Sequence, residues 1–346
     1  MTHTLAAMTR TVALLGATGY TGRLTAAELE RKGLEHRVGG RSKARLADVP
    51  SSGERHLVDL ADPASLDAFL DGVDILITCV GPFMQLGMPV VEAAARTGTP
   101  YVDSTGEPAF MAEVYRRFRG SGPALVPACG FDYLPGDLGV AVAQEVLGRT
   151  PTEVDVVYGL AGGKPSRGTA QSIAGALTAT RAHLGRLVVD GEQGPVTAVA
   201  LPWGEELTVP LRLPHATIRT GIAAPSAATR FTQAIGPVSP YTGGVAKLAM
   251  PLIRRWANRL PEGPSPLDRG KAVARTWSVV RADGQQVRVL VRVRDVYGIT
   301  ARFLVAASQQ VTGVGALATA EALNARAFLE EMSYEDEGGS LSWSVL

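Results

Sequence analysis

The stretch that decides the fold is Thr11-Val12-Ala13-Leu14-Leu15 followed by Gly16-Ala17-Thr18-Gly19-Tyr20-Thr21-Gly22. A short apolar run ends abruptly in three glycines spaced G-x-x-G-x-x-G, and residues 23–32 then read as a helix stopped by Gly33. A run with no polar alternation fits a strand buried on both faces, as in a parallel sheet. Gly16 suits the tight turn, and Gly19 lets backbone N–H groups approach an anion. Gly22 allows helix and strand to pack closely, and the helix N-terminus supplies positive potential. The physics is that of a dinucleotide cradle; the alternative is a purely structural glycine turn.

Working outward, residues 36–39, 55–58, 74–79, 99–103 and 124–128 read as further strands. Asp62-Pro63 marks an N-cap and first turn, with Leu66, Phe69 and Leu70 as the apolar face and Gly72 as the stop. A helix is expected from Pro89 to Ala95, stopped by Gly98, and another over 108–119. Alternating strands and helices with short loops predict an α/β fold with a doubly wound parallel sheet. Beyond about residue 136 the pattern changes. Residues 154–159 read as a strand, 169–183 as a helix, and 275–294 as a hairpin turning at Asp283-Gly284. A second α+β domain on a mixed or antiparallel sheet is therefore expected over 136–314, after a first domain over 1–135. Residues 317–332 look helical, and the segment 315–346 is expected to pack back onto the first domain. The tail containing Glu335, Asp336 and Glu337 reads as loose.

Composition bounds the function. The chain has 346 residues, 34 Lys+Arg against 33 Asp+Glu, and a formal net charge of +1. That balance excludes a general nucleic-acid-binding surface. With 46% hydrophobic and 19% charged residues the chain is not a disordered one. Residues 73–91 are interrupted by Asp74, Pro82, Gln85 and Pro89, so no integral membrane segment is expected, and residues 1–10 lack a signal-peptide pattern. A cytoplasmic protein follows. Two cysteines, Cys79 and Cys129, make neither a disulfide framework nor a multi-cysteine metal site, and no metal is expected.

Where an NAD site usually carries Asp or Glu about 20 residues past the glycine loop, this chain has Gly40-Arg41-Ser42-Lys43, with Arg41 nineteen positions after Gly22. Arg41 offers a planar fork to a 2′-phosphate and Ser42 a hydroxyl donor, which favours NADP(H); a solvated loop arginine is the alternative. Asp59, at the end of the third strand, can accept from an adenine amino group or cap a turn. Cys79-Val80-Gly81-Pro82-Phe83 ends the fourth strand, where an open α/β sheet binds ligands, and is placed beside the nicotinamide. The same reasoning puts residues 103–107 and 129–132 on that rim. Tyr133 is the candidate proton donor or a pocket wall, and Asp132 a candidate for binding an iminium, orienting water or capping the next helix. Cys129 as a nucleophile lacks a recognisable histidine partner. No tyrosine has lysine four positions later, which disfavours a short-chain carbonyl reductase. Val245, Leu248, Ala249, Leu252, Ile253, Trp256 and Leu260 form an apolar stripe among Lys247, Arg254, Arg255 and Arg259. The stripe suits a core or homodimer interface, or a surface for a membrane or acyl carrier.

The order GATGYTG, GGRS, CVGPF, GTPYVDSTGE, CGFDYLPGD over residues 11–140 resembles the saccharopine dehydrogenase-like oxidoreductases, and among them the bacterial trans-acting enoyl reductases. The resemblance implies a Rossmann domain, a second α+β domain and a nicotinamide cofactor. By it Gly16, Thr18, Gly19, Tyr20, Thr21 and Gly22 hold the pyrophosphate, Arg41 and Ser42 meet the 2′-phosphate, and Val80, Gly81 and Pro82 the nicotinamide side. Two departures stand out: the family usually has a small residue at Tyr133 and often serine at Gly136. The expected activity is NADPH-dependent reduction of an activated C=C bond in a polyketide, lipid or other secondary metabolite. An imine reductase or amine dehydrogenase, and a non-catalytic NADP-binding redox sensor, are the alternatives. The expected partners are a small-molecule or acyl substrate, free or carrier-bound, and a second copy of the chain.

Overall fold

Val12–Leu15 (β1) is buried along its whole length, as its unbroken apolar run requires. It lies at the centre of a parallel sheet. His36–Gly40 (β2) and Glu54–Leu57 (β3) are on one side; Ile75–Thr78 (β4), Tyr101–Asp103 (β5) and Ala124–Val126 (β6) are on the other. Gly315–Ala316 (β13) adds a seventh strand beyond β6. The order reverses between β1 and β4, which opens a crevice at the carboxyl ends of those strands. The computed structural model describes residues 10–162, 185–225, 259, 261–334 and 341–346. The expected helix over 169–183, the apolar stripe from 245 to 260 and the acidic tail at 335–337 lie outside these residues, apart from Arg259.

Tyr20–Arg31 (α1) follows the glycine loop, and Lys43–Ala47 (α2) and Pro63–Leu70 (α3) flank β3. Asp62 accepts from Ala64 N and caps α3 as its sequence position predicts. Phe83–Thr97 (α4) starts six residues before the expected Pro89, which lies inside the helix. A proline there removes one i→i−4 bond. The helix still begins early because the Glu107 carboxylate accepts from Phe83 N and Met84 N at 2.9 and 3.0 Å. Pro108–Phe118 (α5) and Leu134–Leu147 (α6) complete the layers.

The second sheet is mixed. Glu153–Ala161 (β7) pairs in parallel with Thr217–Ala223 (β10), whereas its pairing with Val273–Ala282 (β11) is antiparallel. Gln285–Arg294 (β12) forms the expected hairpin with β11; Asp283 and Gly284, at φ 49° and 74°, supply the left-handed turn. Gly185–Gly191 (β8) and Gly194–Ala200 (β9) extend one edge. Leu341–Val345 (β14) pairs with β12 at the other edge. The expected helix over 317–332 is two: Thr319–Ala322 and Ala325–Tyr334. Leu323 is extended between them, and Asn324 Oδ1 accepts from Ala327 N to start the second. Helix α6 packs against β11, β12 and both of these helices, so one apolar core runs from sheet to sheet. The helix Val296–Gln310 packs on α1, β4 and β5. No helix among the described residues is long and apolar enough to cross a membrane.

Candidate functional site

The glycines behave as their spacing predicts. Gly16 has φ +82°, and a Cβ on it would lie 2.9 Å from Cys79 C and Val80 Cγ2. A Cβ on Gly22 would lie 2.1 Å from Gly16 O, so the loop and α1 touch through bare backbone. Gly19 N donates to Gly16 O at 3.0 Å, and Gly19 forms the N-cap of α1 with no side chain over it. The first-turn N–H groups therefore face the loop, where helix geometry gives them no internal partner. Beside them runs a cleft of about 880 Å³. Gly16, Thr18, Gly19, Arg41, Asp59, Cys79, Val80 and Gly81 all line it. That volume lies within the range of cofactor pockets, and the bare glycine floor fits a pyrophosphate.

The other expected residues support the cleft from outside. Gly22 is the packing contact just described. Thr21 O accepts from Thr25 Oγ1 within α1. Tyr20 points to the second half of the chain, its hydroxyl donating to Pro264 O at 2.6 Å. Ser42 Oγ accepts from Arg45 N and caps α2. Pro82 forms the N-cap of α4, and Phe83 is buried 5.4 Å from the Phe110 ring. Arg41 is exposed at the cleft and has no hydrogen bond or ion pair to another described residue. Asp59 Oδ1 accepts from Ala61 N in a local turn, and Asp59 lines the cleft. The sequence reading missed Arg45, which also lines the cleft. Its place in the same basic run, Arg41-Ser42-Lys43-Ala44-Arg45, is the signal that could have found it.

At the far end, the loops after β4, β5 and β6 lie side by side because their strands do. The Asp103 carboxylate ties two of them together, accepting from Tyr101 Oη, Thr105 N and Ala128 N. Burial raises it to about 6. Burial also raises the Cys79 thiol to about 11 and pushes Cys129 well up. Both are protonated at neutral pH, which removes Cys129 as a nucleophile. Asp132 is solvent-accessible at the mouth of this rim, yet surrounded by protein; the lost solvation raises its carboxyl to about 6. A Cβ on Gly106 would lie 2.9 Å from Asp132 Oδ2. Tyr133, not Asp132, takes the N-cap position of α6. The Tyr133 ring is 1% exposed and its hydroxyl donates to Gly106 O at 3.0 Å. Burial drives that phenol well above its usual range.

Behind Tyr133 lies a buried acid that the sequence reading did not single out. Glu205 accepts from the Tyr158 hydroxyl, and its Oε2 has no hydrogen-bond partner among the described residues. Burial raises Glu205 to about 8, against the lowering effect of Tyr158. Trp203 Nε1 donates to Asp132 O, and the Trp203 ring stacks obliquely 5.9 Å from Tyr133. Thr300 Oγ1 accepts from Phe131 N at 3.1 Å, so the second half of the chain closes over this rim.

Comparison with known proteins bears on this geometry. Residues 12–124 match the saccharopine dehydrogenase NADP-binding domain. A trans-acting enoyl reductase of Mycobacterium leprae (strain TN) is 37% identical over 142 residues, covering 37% of this chain and 34% of that one. A trans-acting enoyl reductase of Mycobacterium tuberculosis (strain ATCC 25618 / H37Rv) is 36% identical with the same coverage. The chain thus spans 34% of the length of these relatives. Its fold is similar to that of apo saccharopine dehydrogenase (L-Glu forming) from Saccharomyces cerevisiae. The TM-score is 0.61 at 12% identity, over 97% of this chain and 100% of that one.

Proposed function

We propose that this chain, whose residues 12–124 match the saccharopine dehydrogenase NADP-binding domain, is an NADPH-dependent oxidoreductase that reduces an activated C=C bond. The observation that carries the reading is the cleft itself. It joins a side-chain-free glycine cradle, two arginines and the carboxyl end of β4, and the strands β5 and β6 follow beside β4 in the same sheet. The trans-acting enoyl reductases share residues with this part of the chain, which favours an enoyl group over a carbonyl.

NADPH supplies a hydride when bound. The first-turn N–H groups of α1 hold the pyrophosphate, and Arg41 takes the 2′-phosphate. Asp59 would accept from the adenine amino group, and Cys79, Val80 and Gly81 would wall the nicotinamide side. The substrate lies between the domains over the rim. Asp132, accessible and raised to about 6, delivers the proton directly or through water. Tyr133 sets the Gly106 carbonyl and closes the floor. A polyketide, lipid or secondary-metabolite acyl group, free or on a carrier, is the substrate class. The reaction is placed in the cytoplasm, with a homodimer as the assembly.

The test is NADPH consumption, followed at 340 nm in the usual way, against enoyl thioesters and against amine–keto-acid mixtures. Turnover of enoyl thioesters is expected. Turnover of the amine mixtures alone would move the reading to imine chemistry. NADPH binding with no turnover on either class would make the protein a redox sensor.

A further inference from the structure

The second half of the chain reaches over the glycine loop through residues 261–265. Pro264 O accepts the Tyr20 hydroxyl at 2.6 Å. Gly263 packs so tightly on the same ring that a Cβ there would lie 2.3 Å from it. Tyr297 meets Tyr20 edge-on, with ring centroids 5.2 Å apart. Next to this anchor, Glu262 Oε1 accepts from Arg45 Nη2 at 2.9 Å, and the same nitrogen donates to Thr18 O at 2.9 Å. Arg45 lines the cleft together with Gly40 and Arg41. A second-domain carboxylate thus sits on a cation at the adenosine end of the cofactor cleft.

We propose that Glu262 is a built-in competitor for the 2′-phosphate, holding Arg45 until the phosphate of NADP(H) displaces it and loosens the Glu262 end of the 261–265 strap at the cleft edge. The proposal rests on the NADP reading of the cleft. Carboxylate and phosphate use the same guanidinium donors, and both favour the planar fork. They differ in charge: a phosphate monoester carries about −1.5 to −2 at pH 7, the carboxylate −1. The Arg45–Glu262 pair is also exposed, at 45% and 52% of the two side chains, so solvent screens it and its hold is weak. The phosphate therefore wins, whereas NAD(H), with only a ribose hydroxyl there, leaves the pair intact. Tyr20 keeps the strap anchored at Pro264, so the Glu262 end is what loosens and the strap does not detach. The strap leads into the helix Pro266–Gly270, where Arg269 pairs with Asp295 at 3.0 Å. Asp295 caps the helix Val296–Gln310, which carries Thr300 to the rim.

The experiment compares wild type with Glu262→Gln. Binding of NADPH, NADH, 2′-AMP and 5′-AMP is measured by calorimetry, and hydrogen–deuterium exchange of the peptide covering 261–265 is followed with each ligand. Removing the competitor is expected to tighten NADPH and 2′-AMP about two- to fivefold, the range an exposed ion pair allows. NADH and 5′-AMP should be unchanged. In wild type, exchange in the strap should rise with 2′-AMP and not with 5′-AMP. Equal effects of Glu262→Gln on all four ligands, or strap exchange that ignores 2′-AMP, would overturn the proposal. A wild-type protein that binds NADH as tightly as NADPH would instead overturn the NADP reading beneath it. Glu262→Ala serves as a second variant, and Glu262 is exposed enough that neither change threatens folding.

Discussion

The Tyr158 hydroxyl and the Glu205 carboxylate bond to each other in the space that a side chain at position 136 would fill. A Cβ on Gly136 would lie 2.2 Å from Glu205 Oε1 and 2.4 Å from Tyr158 Oη. The bare backbone in the first turn of α6 is thus what admits a polar pair between the sheets.

Gly136→Ala weighs two effects of opposite sign. In a helix interior alanine is favoured over glycine by about 1 kcal/mol. Overpacking a buried site costs about 1–3 kcal/mol, and here the obstructing atoms belong to a buried hydrogen-bonded pair that must shift together. A net loss of stability is expected, read as a fall in the unfolding midpoint. A variant as stable as wild type would show that the pair can move aside.

Glu205 makes stability depend on pH. Its folded pKa of about 8 lies above its ordinary 4.5 because burial disfavours the charged form. Between those two values the folded state binds more protons than the unfolded one, so stability is fully present below 4.5 and is lost as pH rises through 8. Glu205→Gln, which has no proton to lose, should flatten this part of the profile. Its stability relative to wild type should climb from pH 5 to pH 9. Chemical denaturation at a series of pH values measures both slopes; parallel slopes would remove Glu205 as the cause.

Arg41 lines the cleft with no protein partner among the described residues. Truncating it to alanine therefore breaks no internal contact there and should act on the cofactor alone. A lost charge-assisted hydrogen bond is worth about 1.5–3 kcal/mol, or roughly 10- to 150-fold in affinity. NADPH affinity should fall by this much while NADH affinity barely moves. Equal losses would show that Arg41 does not read the 2′-phosphate.

What could be read from the sequence was what adjacent residues impose. The apolar run before Gly16, the Asp62-Pro63 start of α3 and the Asp283-Gly284 turn each carry their own conformational instruction, and all three are found in place. Phe83 illustrates the limit. Its place in a helix depends on the Glu107 carboxylate, 24 positions away, capping its N–H. Glu205 is a similar case: its meaning comes from Tyr158, 47 positions earlier on another element. At the cleft, the loop and Arg41 were visible because the motif is local. Arg45 lies in the same basic run, but its place at the cleft depends on the Ser42 cap that starts α2, and Glu262 was not legible at all.

The last question is which group at the rim handles the proton. Tyr133 is a poor acid here: its phenol is pushed up by burial and its hydrogen is committed to Gly106 O. Asp132 is accessible, and at about 6 it is a poised carboxyl. Tyr133→Phe removes one buried hydrogen bond, so it should cost about 0.5–1.5 kcal/mol of stability and leave turnover of an enoyl thioester nearly intact. Asp132→Asn should lower turnover by about 10²–10⁴-fold, the usual worth of a positioned acid. In wild type, kcat/KM should decline as pH rises through about 6, because Asp132 must be protonated to donate. That limb should vanish in Asp132→Asn and persist in Tyr133→Phe. The opposite pattern, with Tyr133→Phe inactive but folded and Asp132→Asn unaffected, would return the proton to the tyrosine.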